Sequence, residues 1–498
     1  MNIKKHIFTA FLIVFIAGLF FSTLVFGASR SETIVIFHMN DIHAQIDNFA
    51  KIATVIDNER KKNPNVFFMN AGDNFSGNPV VDQYIPKGEP ILQLLNRLKV
   101  NVLELGNHEF DYGQEILKDA MKKARYPMIC ANVKVVPGEG GGAILPQPKP
   151  YVILKTKKGT KIAVLGVIQT EKDSHIPSTH PSKLKGLAFS DGIDAAQQYR
   201  YLKKKSNIFI ALTHLGADGD EVLAQKIPEL DIIVGGHSHT TIRDPKETNG
   251  VLITQAGSNA KFLGRIELTV TNGKITGKKG ELIDVASLAV EDPEIKAMIT
   301  KFNDNPEFNR IITTLPMELF GPDELGNLIT DAVRNIDQLD MAFHNQGGIR
   351  LDRLGPEVRL KNIYKMLPFD NDIVLFEMTP AEIKTLLQHT YRKENGFDLK
   401  VSGIEYTVLV TPGTEPGKPF KVKDIELRDE VGNLLDESKT YKVGINDYIA
   451  ARYTFTHRDP GKALKTLLAP LLIDYLQKGG DVCKNIKKIR THEKEVNE

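Results

Sequence analysis

The chain has 498 residues, 41% hydrophobic and 25% charged, an ordinary globular composition with length for two or three domains, so a single small binding module is excluded. Lys plus Arg number 64 against 62 Asp plus Glu, and a formal charge of +2 gives no long-range field for a nucleic-acid polymer or an anionic membrane. Cys130 and Cys483 are too few for a disulfide framework or a cysteine-rich zinc module and are expected to be free structural thiols.

In chain order the first element is a leader. Lys4 and Lys5 precede an almost unbroken apolar run from Ile7 to Phe26, followed by the small residues Gly27, Ala28 and Ser29. This layout predicts a secretory signal over residues 1–28, with cleavage after Gly27. A run of about 20 apolar residues is also long enough to span a bilayer as a helix, so an uncleaved anchor is the alternative, and only then would the protein touch a membrane. Either form places the body in the periplasm or another extracytoplasmic space.

From Ser31 to about Ile283 one theme repeats: a short apolar run of strand character ends abruptly in polar, metal-capable residues. Ile34 to Phe37 leads into Asp41-Ile42-His43, Val66 to Met69 into Gly72-Asp73, and Val102 to Leu105 into Gly106-Asn107-His108-Glu109. Ile208 to Leu212 leads into Thr213-His214, and Ile232 to Val234 into Gly235-Gly236-His237-Ser238-His239. Helical patterns intervene, as in Glu89 to Leu98, whose apolar residues Ile91, Leu94, Leu95 and Leu98 lie three and four apart. Alternating strands and helices predict an α/β layered domain over 29–285, with a site beyond the strand ends.

In an extended chain positions i and i+2 project to one side, which pairs Asp41 with His43 and His237 with His239. With Asp73, Asn107 and His214 they form a thiolate-free donor set sufficient for two divalent ions when one carboxylate bridges. Zinc, manganese, cobalt or iron suits such ligands better than magnesium. Asp73, after the tight turn Gly72 allows, is the expected bridge. Singly, each residue is an ordinary turn or surface group; turn chemistry does not explain five such motifs in one strand-end context.

This ordered series resembles the calcineurin-like metallophosphoesterases. Asn107-His108-Glu109-Phe110-Asp111-Tyr112-Gly113 and Asn345-Gln346-Gly347-Gly348-Ile349-Arg350 are similar to signatures of the 5'-nucleotidase branch. The resemblance implies a four-layer α/β/β/α metallophosphoesterase domain followed by a mixed α+β substrate-specificity domain. It implies that Asp41, His43, Asp73 and His239 hold one metal and Asp73, Asn107, His214 and His237 the other, with a water or hydroxide at the pair aimed in line at phosphorus. His108 would then be free to touch the phosphate or protonate the leaving oxygen, oriented by Asp111.

After Ile283 a charged stretch punctuated by Pro293, Pro306 and Pro316 predicts a linker helix over 286–317. A second domain is expected over 318–498. It opens with a helix N-capped by Asp323 that buries Leu325, Leu328, Ile329, Ala332 and Val333, and strands follow at Ile404 to Val410, Phe420 to Leu427 and Tyr441 to Ile445. Arg350, after two glycines, is suited to clamp a phosphate or carboxylate. The resemblance adds Tyr448 as a base-stacking aromatic and extends the substrate set to Asn345, Gly348, Asn371 and Phe397. Two departures stand out. Asp398 falls in better register than Phe397 with the family's second aromatic, and Ala450-Ala451-Arg452-Tyr453-Thr454-Phe455 replaces a glycine-rich turn that ends in a ribose-binding Asp. The glycine-rich stretch from Gly138 to Gly142 reads as a surface insertion; His175, His180 and Gly479-Gly480-Asp481 carry no assignment.

The function expected is an exported dinuclear-metal phosphoesterase acting on nucleotides, a nucleoside monophosphate first and cyclic nucleotides or nucleotide sugars next. The alternatives are a thiosulfohydrolase-like enzyme of the same superfamily, acting on a non-nucleotide ester, and a non-catalytic periplasmic nucleotide-binding protein.

Overall fold

The structure, a computed structural model, describes residues 31–136, 144–336, 339–392, 396–415, 418–479 and 482–497. The leader, the Gly138–Gly142 insertion and Gly480-Asp481 lie outside the described residues.

Two six-stranded sheets form the first half. One places Ser31–Met39 between Phe262–Thr271 and Val66–Asn70 and continues through Val102–Glu104; the other places Ile208–His214 between Lys161–Ile168 and Ile232–Gly235. The period of two along each strand sorts the side chains into layers. Ile34 and Ile36 meet Val164, Ile210 and Val234 between the sheets. Val35 and Phe37 point the other way, against Ile52 and Ile56 of the Phe49–Lys62 helix and Leu94 of Glu89–Arg97. On the far side Leu165, Phe209 and Ile233 pack against Leu223 and Ala224 of the Ala217–Lys226 helix. Both faces of the central strands are therefore buried, which is why their sequences read as continuous apolar runs rather than alternating ones. The result is the four-layer α/β/β/α arrangement.

The second half is built on a five-stranded mixed sheet in the order Leu399–Ser402, Met341–Asn345, Tyr441–Asn446, Asp372–Met378, Lys462–Leu467. One face carries the Gly321–Arg334 helix, with Leu325, Leu328, Ile329, Ala332 and Val333 all buried; the other carries Pro380–Thr390 through Ile383, Leu386 and Leu387. Asp323 is not the cap of the first of these helices. The helix starts earlier, at Gly321-Pro322, where Glu324 accepts a hydrogen bond from the Phe320 amide at 2.8 Å, and Asp323 instead pairs with Lys400 at 2.6 Å.

Between the halves, Pro293–Asn303 is a helix capped by Asp292, and its Ile295, Ile299 and Phe302 dock onto the first domain. The chain then crosses over, and Ile311–Thr314 pairs with Glu357–Arg359 in the second. Cys130 is a buried thiol and Cys483 a half-buried one, with no disulfide between them. Among the described residues no helix is long and apolar enough to cross a membrane.

Candidate metal centre and catalytic cleft

The parallel strands of both sheets end on one side of the first domain, and the donor residues sit on the loops that leave them. Asp41 and His43 follow Ser31–Met39, Asp73 follows Val66–Asn70, Asn107 and His108 open a short turn after Val102–Glu104, and His214 closes its own strand. Asp41, His43, Asp73, His237 and His239 all adopt left-handed backbone conformations, with φ of 49°, 47°, 57°, 80° and 55°. Each such residue costs about 1–3 kcal/mol, and such strain gathers where a site needs it. The i, i+2 argument for two same-side pairs therefore does not hold: the chain coils at these positions instead of extending. Asp41 and His43 still meet, but His237 and His239 separate into different groups.

In one group Asp41, His43 and His239 bring donor atoms within 4.8 Å of one another; in a second Asp73, His214 and His237 do so. His43 Nε2 lies 2.9 Å from His239 Nε2, His214 Nε2 lies 3.0 Å from Asp73 Oδ2, and His237 Nδ1 lies 3.1 Å from Asn107 Oδ1. The Ala71 carbonyl holds His214 Nδ1 at 2.7 Å, leaving Nε2 sealed from solvent and, among the described residues, without a hydrogen bond of acceptable geometry. An imidazole oriented through one nitrogen, with the other aimed at carboxylates, is the arrangement of a metal ligand. Burial and neighbouring positive groups keep three of the imidazoles neutral, His43 well below its ordinary value, His237 down to about 3 and His239 to about 4. Burial alone would raise Asp73, yet His214 and His108 hold it well below the usual carboxylate range. Burial would likewise lower His214, but Asp73 and Asp41 lift it to about 10, a field that favours any cation placed there. The residues fit a divalent-metal centre.

Glu109 holds the cluster together. One carboxylate oxygen accepts from the amides of Asp73 (2.8 Å) and Gly106 (2.7 Å), the other from the amide (2.7 Å) and side chain (3.0 Å) of Asn74. It clamps two ligand loops to each other. Gly72, at φ 86°, is where those loops touch: a Cβ there would come within 2.6 Å of the Gly106 amide nitrogen.

Beside the cluster, His108 Nδ1 is 2.6 Å from Asp111 Oδ2, and Thr179 donates to the other Asp111 oxygen at 3.0 Å. Burial lowers the His108 pKa, but Asp111 and Asp73 outweigh it and raise the value above that of a free imidazole. Phe369 of the second domain stacks on the same ring, centroids 5.7 Å apart and planes 18° apart.

A cleft of about 370 Å³ runs from this point between the domains, lined by Asn107, His108 and Asp111 on one side and Asn345, Arg350 and Tyr448 on the other. Gly348 and Asn371 also line it, as does the unassigned His180. Arg350 Nη2 reaches to 3.3 Å from His43 Nε2, and the Tyr448 hydroxyl lies 3.2 Å from Ser178 Oγ. Phe397 does not reach the cleft. Its strand pairs with Tyr391–Arg392, and the ring packs against Tyr391 (5.4 Å) and Tyr406 (5.7 Å), while Asp398 faces an adjoining cavity.

Sequence reasoning missed Glu109, Phe369 and Thr179. Glu109 was visible inside the Asn107 motif but lacked a free role there. Phe369 stands two residues before Asn371, an exposed-type turn with an aromatic in it. Thr179 sits beside His180 in a Pro/Ser loop with no local signal.

Four layers with imidazole and carboxylate donors at the strand ends define a metallophosphoesterase, and residues 34–241 match the calcineurin-like phosphoesterase family. Residues 309–455 match the 5'-nucleotidase C-terminal domain. The chain belongs to the 5'-nucleotidase family and is a metal-dependent phosphoric ester hydrolase of that kind. It is 27% identical over 510 residues to a trifunctional nucleotide phosphoesterase of Bacillus subtilis, covering 90% of this chain but only 34% of that longer protein. Against human 5'-nucleotidase it is 27% identical over 496 residues, covering 86% of this chain and 84% of the human one. The crystal structure of a 5'-nucleotidase precursor from Thermus thermophilus superposes with a TM-score of 0.76 at 26% identity, covering 93% of this chain and 99% of that one.

Proposed function

We propose that the protein is an exported 5'-nucleotidase that releases phosphate from nucleoside monophosphates with two divalent ions of the zinc, manganese, cobalt or iron type. Asp41, His43, Asp73 and His239 would hold one ion and Asp73, Asn107, His214 and His237 the other. When bound, such a pair acidifies water and neutralises charge on a phosphoryl group. Arg350 grips the phosphate oxygens as a planar fork. His108, kept charged by Asp111, stabilises the phosphate or passes a proton from Nε2 to the leaving oxygen, its ring plane held by Phe369. Tyr448 offers an aromatic face to the base, with Asn345, Gly348 and Asn371 along the cleft between. Export is supported by the apolar run from Ile7 to Phe26 behind Lys4 and Lys5.

The observation that carries this reading is the approach of Arg350 to His43 across the domain boundary. A guanidinium beside a cation-binding cluster is unfavourable by itself and becomes favourable when an anion sits between them. The test is phosphate release by chelated protein, with and without added zinc or manganese, from AMP, UMP, a UDP-sugar, cyclic nucleotides and an aryl phosphate. Metal-restored release from a nucleoside monophosphate is expected, with His108→Ala lowering kcat by about 10²–10⁴-fold. Absence of release from every nucleotide with either metal would overturn the reading.

A further inference from the structure

Behind Tyr448 the cleft opens into a second cavity of about 780 Å³, and Gly347, Arg350 and Tyr448 line both spaces. Its wall carries Asp398, Arg452 and Tyr453. Arg452 is an unusual lining residue. Its side chain is only 2% exposed, it pairs with Glu171 of the first domain, and its Nε has no hydrogen-bond partner among the described residues. A buried guanidinium with a donor to spare is costly unless an acceptor arrives to meet it. Asp398 is the complementary group. It accepts from the Gln346 amide at 3.2 Å and from the Tyr453 hydroxyl, and because a carboxylate takes about four hydrogen bonds, acceptor positions remain. Tyr448 and Tyr453 stand edge to face at 6.3 Å, which makes one aromatic wall rather than a two-sided stack.

An aromatic wall gives little discrimination between bases, because every base has a π-face. Hydrogen bonding to a base edge does discriminate, and strongly, because a mismatched edge leaves buried polar groups unpaired. A fixed acceptor and a fixed donor in one chamber fit an edge on which an N–H stands next to a carbonyl. A 6-oxopurine has that edge, N1–H beside O6, as uracil has N3–H beside O4, and guanine adds a second donor at its 2-amino group that uracil lacks. Adenine presents a bare nitrogen at N1, so a carboxylate there would face a lone pair.

Resting on the nucleotidase reading above, we propose that Asp398 and Arg452 are specificity-determining residues that make this enzyme select 6-oxopurine nucleotides, GMP and IMP, over AMP. Asp398 accepts N1–H and, in guanine, the 2-amino group; Arg452 donates to O6.

The test compares kcat/KM for GMP, IMP, AMP and an aryl phosphate using the metal-loaded full chain and its Asp398→Asn variant. The wild type is expected to favour GMP over AMP by about ten- to a hundredfold, the worth of one charge-assisted hydrogen bond, with most of the difference in KM. Asp398→Asn should bring the GMP-to-AMP ratio towards one, because an amide can donate to the N1 of adenine as well as accept from that of guanine. Should that variant fail to fold, Arg452→Lys, which keeps the charge against Glu171 but loses the planar fork, carries the same ratio test. Equal use of GMP and AMP by the wild type, or a ratio untouched by either substitution, would overturn the inference while leaving the nucleotidase reading intact. Hydrolysis of the aryl phosphate alone, with no nucleotide used, would remove both.

Discussion

Glu109 shows how much one side chain outside the metal-facing set can govern. Both its oxygens are doubly engaged, by the Asn74 side chain and by the backbone amides of Asp73, Asn74 and Gly106, in the loops that carry Asp73 and Asn107. In Glu109→Gln one oxygen becomes an amino group that must face backbone N–H donors, so the loops lose their clamp. Metal titration of activity should show a loss of affinity of about 10–100-fold, as for other groups that orient ligands; an unchanged half-saturation point would show that the loops hold themselves. That Asp41, His43, Asp73, Asn107, His214, His237 and His239 would be gathered beyond the strand ends was legible in the sequence, because strand-end motifs carry them in order. Their geometry was not, because the left-handed turns at Asp41, His43, His237 and His239 are not encoded by residue type: Asp and His tolerate them but do not demand them. Phe397 misled for a related reason, since a shift of one residue decides whether it or Asp398 faces the cavity.

At the scale of the element, strands and helices with a plain apolar period were readable, and what escaped were contacts made through register. His38 is directly opposite Gly264 in the antiparallel pair of Ser31–Met39 with Phe262–Thr271, and its ring occupies the space a Cβ on Gly264 would need, 2.0 Å from Nε2. His344, on Met341–Asn345, is equally enclosed and accepts a hydrogen bond from Asn446 at 3.0 Å. Burial pushes both imidazoles down from 6.5 to about 4. A folded value below the unfolded one means that the fold favours the neutral form, so this stability is fully present above pH 6.5 and is lost as pH falls from there towards 4. Each histidine contributes about 3 kcal/mol to that loss. The urea midpoint should therefore drop between pH 7 and pH 4.5, and a flat profile would contradict the assignment. The 286–317 segment was harder to read, since charge and proline hid that its helix belongs to one domain and its strand to the other.

For the whole molecule, two domains with separate cores meet along one seam. Besides Arg350 with His43, the seam holds Lys87 with Asp370 at 2.6 Å, Glu171 with Arg452, and Ser178 with Tyr448. None of these pairs was legible in sequence, because the partners lie hundreds of residues apart and only the folded halves bring them together. Metal should stabilise the first domain by binding its native state alone, by about 4 kcal/mol at a thousandfold excess over Kd. Calorimetry with a chelator should then split the unfolding profile or lower its earlier transition, leaving the second domain's transition in place; a single transition unmoved by chelation would count against the metal centre.

If His108 acts as proposed, the stacking of Phe369 on it makes the two halves jointly responsible for turnover. The ring proposed to handle the proton belongs to the domain that carries the candidate metal cluster, but its ceiling belongs to the domain proposed to choose the substrate. Under the proposed function, a change in how the halves meet is therefore also a change in the surroundings of the group that gives the proton.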